Sequence, residues 1–199
     1  MDRKIIWVGL TSLAIVIMAA LLNLLFAKPE RFRGTAYSDP YPSASDFELT
    51  HSSGDAFRLS GQRGKIVLLF FGYTFCPDVC PATLAELNMA LSEIPDKADS
   101  VQVVFISVDP DRDTPQITQE YVARFNPAFI GLSGSLDQLG KIWQDYGIFR
   151  EIDKSGTNVV TVSHTARVIL IDTEGNMRLS YGFGTPVEDI VFDLNLLLK

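Results

Sequence analysis

The chain has 199 residues, of which 47% are hydrophobic and 21% charged, with two cysteines, two histidines and a formal net charge of −7. That is enough chain to bury a core in one globular domain with a segment to spare, and too few cysteines for a disulfide framework. From residue 34 onward 12 Lys and Arg stand against 22 Asp and Glu, a balance that excludes nucleic-acid binding through a basic face.

The run Ile5 to Phe26 holds 22 residues without a charge. As a helix it would extend about 33 Å, against a hydrocarbon core of roughly 30 Å, and it reads as a single transmembrane anchor behind a short tail, residues 1–27. A cleaved signal peptide has a shorter apolar region and a small-x-small site; Leu25-Phe26-Ala27 puts a bulky Leu at that point. Arg3 and Lys4 flank one end of the run and Lys28, Arg31 and Arg33 the other, so the count of positive charges does not orient it. A short tail, an anchor and a large domain behind it fit a domain exported across the membrane, an expectation that follows from the anchor and not from charge and that places the domain on the oxidising side.

Residues 28–45, with Pro29, Gly34, Pro40 and Pro42, read as a linker. A hairpin is expected from Asp46–His51 and Ala56–Ser60, turning at Ser52 to Asp55, with His51 beside the turn. Lys65–Tyr73 is a continuous apolar run of strand length, the pattern of a strand covered on both faces. Pro81 suits a helix start, and the helix then runs toward Ile94. Val101–Val108 repeats the buried-strand pattern, Pro115–Phe125 is a helix capped by Asp113 or Thr114, Phe129–Leu132 a short strand, and Leu136–Tyr146 a third helix. Ala166–Asp172 and Met177–Tyr181 form a second hairpin, and Pro186–Leu198 closes the chain as an amphipathic helix. Strands alternating with helices, followed by a hairpin and a helix, define an α/β fold with a mixed sheet flanked by helices.

Cys76 and Cys80, in Phe75-Cys76-Pro77-Asp78-Val79-Cys80-Pro81, are the only cysteines, and they sit where the apolar strand hands over to the helix. A helix N-terminus favours thiolate, which suits two chemistries, a redox-active Cys76–Cys80 dithiol or a metal site. Two thiolates leave most metals under-coordinated. His164, in Val162-Ser163-His164-Thr165, precedes the late hairpin, in a loop that this strand order brings to the carboxyl ends of the strands, where such sheets place their sites. Two thiolates and an imidazole suit copper, as Cu(I) through sulfur and as Cu(II) through nitrogen. Structural zinc normally takes a fourth protein ligand. The acidic run Asp109-Pro110-Asp111-Arg112-Asp113 lacks the glycine that a calcium loop needs at its sixth position, which is Thr114. Asp78 and Asp109 are candidates for shaping the surroundings of the site.

The cysteine segment, the run Ser107-Val108-Asp109-Pro110-Asp111-Arg112-Asp113-Thr114-Pro115 and a histidine before a strand, in that order, together resemble the Sco/SenC family of membrane-anchored copper proteins. The resemblance covers roughly residues 45–198. It implies a thioredoxin-like copper-binding domain over 46–199, and Cys76, Cys80 and His164 as ligands of one copper ion. It also implies a role in delivering copper to the dinuclear copper centre of cytochrome c oxidase subunit II, or to another copper protein. A copper donor protein and a thiol reductant would be partners, on the periplasmic or outer face of a bacterium or in the mitochondrial intermembrane space. Family members commonly carry an acidic residue just before the histidine and a tyrosine a little upstream, where this chain has Ser163 and Val159-Val160-Thr161. The alternative on the same fold is a membrane-anchored thiol-disulfide oxidoreductase. Proteins of that type typically carry Cys-x-x-Cys and a cis-proline, but here the spacing is one longer and no proline occurs between Pro127 and Pro186. A peroxidase of the peroxiredoxin kind would want threonine where Tyr73 stands.

Overall fold

The computed structural model describes residues 31–153 and 161–199, together with Leu13 and Ile15–Met18 near the N-terminus. Most of the expected anchor therefore lies outside the described residues, and among the described residues no helix is long and apolar enough to cross a membrane. Phe32–Lys199 form one compact unit.

Ten strands and four α-helices are described in this unit. The main sheet has six strands in the order β1-β10-β9-β4-β5-β6. Its centre is β4 (Ile66–Gly72), whose seven residues are all buried, paired in parallel with β5 (Val101–Ser107). β6 (Ile130–Leu132) extends the parallel side. On the other flank β9 (Arg167–Ile171) and β10 (Met177–Gly182) run antiparallel, and β1 (Thr35–Ala36) adds the edge. Two covered faces explain why β4 and β5 read as unbroken apolar runs rather than as alternating ones. Helices α1 (Val79–Ser92), α2 (Pro115–Ala123), α3 (Leu136–Asp145) and α4 (Val187–Leu197) supply that cover. Two small ribbons stand apart from the main sheet. One pairs β2 (Glu48–Thr50) with β3 (Ala56–Arg58), the other β7 (Arg150–Asp153) with β8 (Thr161–His164).

Three expectations change, and one alternative is resolved. Helix α1 begins at Val79 rather than at Pro81, with Asp78 at its N-cap, so Cys80 lies inside the first turn; a proline is tolerated there because first-turn N–H groups have no partner within the helix. The cap of α2 is Thr114, whose side chain accepts from the Ile117 N–H at 3.2 Å, while Asp113 turns inward. The β7–β8 ribbon lies where no element is expected, because the apolar residues of that stretch come only singly or in pairs such as Ile148-Phe149 and Val159-Val160.

The segment read as a linker also joins the domain over much of its length. Thr35 and Ala36 pair with Ser180 and Leu179, Ser43 bridges Asn176, and Ala44 is buried. Fully buried Asp193 of α4 holds its start, accepting from the Arg33 N–H at 2.9 Å, the Gly34 N–H at 2.8 Å and the Tyr181 hydroxyl at 3.2 Å. A buried carboxylate needs such donors, and two successive backbone amides supply them without a counter-charge. As expected, His51 flanks its turn, satisfied by Ser53 Oγ at 3.0 Å and Gln119 Oε1 at 2.9 Å.

Candidate metal centre

Strand register decides where the histidine goes. β9 is antiparallel to β4 with Val168 opposite Phe70, so residues before 168 continue alongside residues after 70. Extending that pairing sets His164 beside Thr74, two residues from Cys76. β8 ends at His164, whose register partner is Arg150 of β7, and the His164 ring meets Tyr73 edge-on with centroids 5.8 Å apart.

The cysteine loop is fixed from below. The Cys76 N–H donates to the Tyr73 carbonyl at 3.2 Å, which makes the turn out of the strand. Asp113, fully buried, accepts from the Thr74 N–H at 3.1 Å, the Thr74 hydroxyl at 2.5 Å and the Ser107 hydroxyl at 2.7 Å. One carboxyl thus ties the loop after β4 to the end of β5. Burial raises the Asp113 pKa, opposed by those hydrogen bonds. Gly72 has a different task. A Cβ there would lie 2.7 Å from Phe105 Cε2 and 2.9 Å from Cys80 Sγ, so the absence of a side chain makes the space that the Cys80 thiol occupies.

The three donors meet. The Cys76 and Cys80 sulfurs and a ring nitrogen of His164 all lie within 4.8 Å of one another, with Cys80 Sγ 3.7 Å from His164 Nε2. Cys80 is buried, and Cys76 and His164 are half-buried. A three-coordinate ion with bonds of about 2.0–2.3 Å sets its donors roughly 3.5–4 Å apart, so the set fits one metal ion with little movement. Among the described residues no fourth histidine, cysteine or carboxylate joins it, which makes a closed structural zinc site a poor match.

The two thiols are unequal. Cys76 is drawn down to about 4 by hydrogen bonding from the Cys80 thiol, against the cost of burial, with further help from His164 and from the backbone N–H groups of Cys80 and Asp78. The Cys80 N–H lies 3.4 Å from Cys76 Sγ. Cys80 moves the other way, raised by donating its proton to Cys76 and by its own burial. The metal-free pair therefore holds one thiolate and one thiol, and a bound ion must displace the Cys80 proton.

Asp78 stands next to the site but acts through its backbone N–H, and its carboxyl is not part of the donor cluster. Asp109 is buried and outside the cluster as well. It binds the Arg112 guanidinium, which lies over the rings of Phe75 at 4.9 Å and Tyr73 at 5.8 Å, so Asp109 reaches the loop through Arg112. Sequence reasoning missed Gly72, Tyr73 and the inward role of Asp113. The last had a legible signal, since a capping threonine already stood beside it. His164 Nδ1 is buried without a hydrogen-bond partner. The ring of a metal-ligating histidine is ordinarily oriented by an acceptor at its second nitrogen; here it packs in a T-shaped contact with the Tyr73 ring.

A mixed α/β domain with two cysteine sulfurs and one imidazole clustered at the carboxyl ends of its parallel strands has the layout of a thioredoxin-like fold carrying a candidate metal site. The family model for SCO1/SenC matches residues 35–199, and the chain belongs to that family. It is 39% identical to the mitochondrial protein SCO2 of Saccharomyces cerevisiae over 132 residues, which cover 65% of this chain and 44% of the yeast protein. The chain thus spans less than half of that relative. Apo Sco1 of Thermus thermophilus superposes with a TM-score of 0.76 at 39% identity, covering 85% of this chain and 99% of that one. The copper-bound ScoI of Bradyrhizobium japonicum gives a TM-score of 0.71 at 35% identity, covering 78% and 99%.

Proposed function

We propose that this chain is a membrane-anchored copper-binding assembly factor that delivers copper to, or prepares, the dinuclear copper site of cytochrome c oxidase subunit II. The observation that carries this reading is the convergence of Cys76, Cys80 and His164 donors within 4.8 Å, a soft and compact set suited to copper. Membership of a family with a copper-bound member adds support. The ion is cargo. The Cys76 thiolate captures it, Cys80 gives up its proton to become the second ligand, and His164 Nε2 completes the set. An incoming thiolate from the receiving protein replaces these ligands one at a time, so the copper is never released free. Ile5–Phe26 tethers the domain to the membrane on the exported side, and Asp109 and Asp78 support the loop.

A second reading is favoured by the inequality of the thiols. A thiolate at Cys76 with a protonated neighbour at Cys80 is the arrangement of an attacking and a resolving thiol. Cys76 would attack a substrate disulfide to give a mixed disulfide. Cys80, losing its proton, would then close the Cys76–Cys80 disulfide and release the substrate as two thiols, and an external dithiol would restore the pair.

One experiment separates the readings. The full chain in detergent, reduced and kept free of oxygen, is titrated with Cu(I) against a chelator, as wild type and as His164→Ala. Tight one-to-one binding that weakens by about 10–100-fold in the variant, with dithiol exchange intact, supports the copper site. Weak binding by the wild type, together with rapid exchange of a Cys76–Cys80 disulfide, makes the chain a thiol reductase.

A further inference from the structure

Among the described residues of Phe32–Lys199, six large apolar side chains are exposed: Phe75, Met89, Ile117, Leu136, Phe149 and Phe183. Isolated exposed apolar residues need no explanation, but their placement here is one-sided. Phe75 precedes Cys76. Phe149 pairs with Thr165, its N–H donating to Thr165 Oγ1 at 3.1 Å and its carbonyl accepting from the Thr165 N–H at 3.1 Å, directly beyond His164. Phe183 follows Gly182, the register partner of Arg167 at the start of β9. Ile117 lies in the first turn of α2, just past the loop leaving the carboxyl end of β5, and Leu136 opens α3 just past the carboxyl end of β6. Five of the six thus stand at the end of the sheet that carries the donors, and only Met89, well along α1, does not.

From β6 to β10 that end spans four inter-strand gaps, about 19 Å. The exposed residues are spread across it on both sides of the cysteine loop. A round patch about 19 Å across covers about 300 Å², less than the roughly 800 Å² per partner of a stable interface, which suits an encounter that must end once the cargo has moved.

The geometry points to this apolar rim as the docking face for a protein that brings its own thiolate or imidazole ligands to the Cys76–Cys80–His164 site. The inference rests on the copper-carrier reading above and names its partner's chemistry. Two observations select a protein as the occupant. The donors lie in the middle of the rim, so ligand exchange needs the partner's side chains to arrive within bonding distance there. The domain's excess of acidic over basic residues disfavours both an anionic bilayer and a second copy of the chain, which would repel it.

The test loads the full chain in detergent with one Cu(I) and measures transfer to two acceptors. These are a small Cu(I) chelator and the reduced, copper-free soluble domain of cytochrome c oxidase subunit II. Phe149→Ser, Phe183→Ser and Leu136→Ser, singly and combined, are compared with Met89→Ser. None of the four residues supplies a donor atom. The expected result is unchanged copper affinity and unchanged transfer to the chelator in every variant. Transfer to the subunit II domain should slow about tenfold or more in the triple variant, and Met89→Ser should behave as wild type. Equal protein-to-protein rates in wild type and triple variant overturn the docking face and leave the copper site standing. Slowing by Met89→Ser equal to that of the triple variant also overturns it, because the effect is then not local. If the substitutions instead abolish self-association of the wild type, or its binding to phosphatidylglycerol vesicles, with transfer unaffected, the rim serves a second copy or a bilayer and the proposal fails. A wild type that binds no Cu(I) sinks the copper reading itself.

Discussion

The two arms that supply the donors are built on different principles. The cysteine loop is locked by buried polar chemistry: the Asp113 carboxyl gathers Thr74 and Ser107, and Gly72 leaves room for the Cys80 thiol. The histidine arm is a two-stranded ribbon fastened to the domain by buried Val162 and by the Arg150 guanidinium, which donates to the Val108 carbonyl and lies over Trp143; the His164 ring itself rests on the Tyr73 ring and, among the described residues, has no partner at Nδ1. A hydrogen-bonded carboxyl inside a core fixes its partners tightly because leaving any of them unsatisfied is costly. An aromatic edge contact, worth about 0.5–1.5 kcal/mol, holds a ring with less directional force. The sulfur half of the cluster is thus held by directional bonds, whereas the imidazole ring itself rests on a weaker contact.

The comparison breaks most sharply at Asp113. In Asp113→Asn one of the two carboxyl oxygens becomes an NH₂ that cannot accept from Thr74 or Ser107. Stability should fall by about 1–3 kcal/mol in denaturant melts, and Cu(I) affinity should fall with it as the loop loosens. The pH dependence checks the cause. Because the folded carboxyl has a raised pKa, the folded state holds this proton when the unfolded state has lost it. The wild type therefore loses stability from Asp113 as pH rises from the ordinary carboxylate range through the raised value, and the asparagine variant should lack that decline. An unchanged slope would remove Asp113 from the account.

Gly72→Ala tests the same arm sterically. The added methyl must displace Phe105 or the Cys80 sulfur, at a cost of about 1–3 kcal/mol. If the sulfur moves, Cu(I) binding weakens while the His164 contact with Tyr73 persists; a variant that binds copper as wild type does would show that Phe105 yields instead.

The smallest effect sharpens the electrostatic side. With Cys76 drawn down to about 4, its alkylation by iodoacetamide should stay nearly flat from about pH 8 to pH 5 and fall as pH drops through about 4, because only the thiolate reacts. Buried Cys80 should lag at every pH. A midpoint near that of an ordinary thiol would show that the proton is shared differently between the pair.

Much of this was readable from residue order. The apolar runs at Lys65–Tyr73 and Val101–Val108 announced the covered strands, Pro115 and Pro186 marked helix starts whereas Pro81 fell two residues inside one, and the cysteine pair and the histidine before a strand are side chains that the fold brings together. The failures have physical causes. The pieces of residues 28–45 that pack on the domain are short and proline-broken, held by backbone pairing and by Asp193, and such long-range partners leave no periodic signal. The β7–β8 ribbon mixes polar and apolar residues and is held by buried Val162 and by Arg150, whose carbonyl partner at Val108 lies 42 positions away. Asp113 and Thr114 both suit a helix cap by residue type, and only the fold separates them: the hydroxyls that Asp113 serves instead come from positions 74 and 107, which sequence adjacency cannot join.

The sequence by itself determined the type of chemistry, because ligand softness and thiolate formation belong to residue type and to the strand-to-helix transition that local apolar patterning dictates. Only the tertiary structure decided that the imidazole reaches the sulfurs, which sulfur keeps the proton, and that the exposed phenylalanines gather at the same end. Those outcomes depend on antiparallel register and on burial, which arise between residues far apart in the chain, Cys80 and His164 standing 84 positions apart, where no local pattern records them.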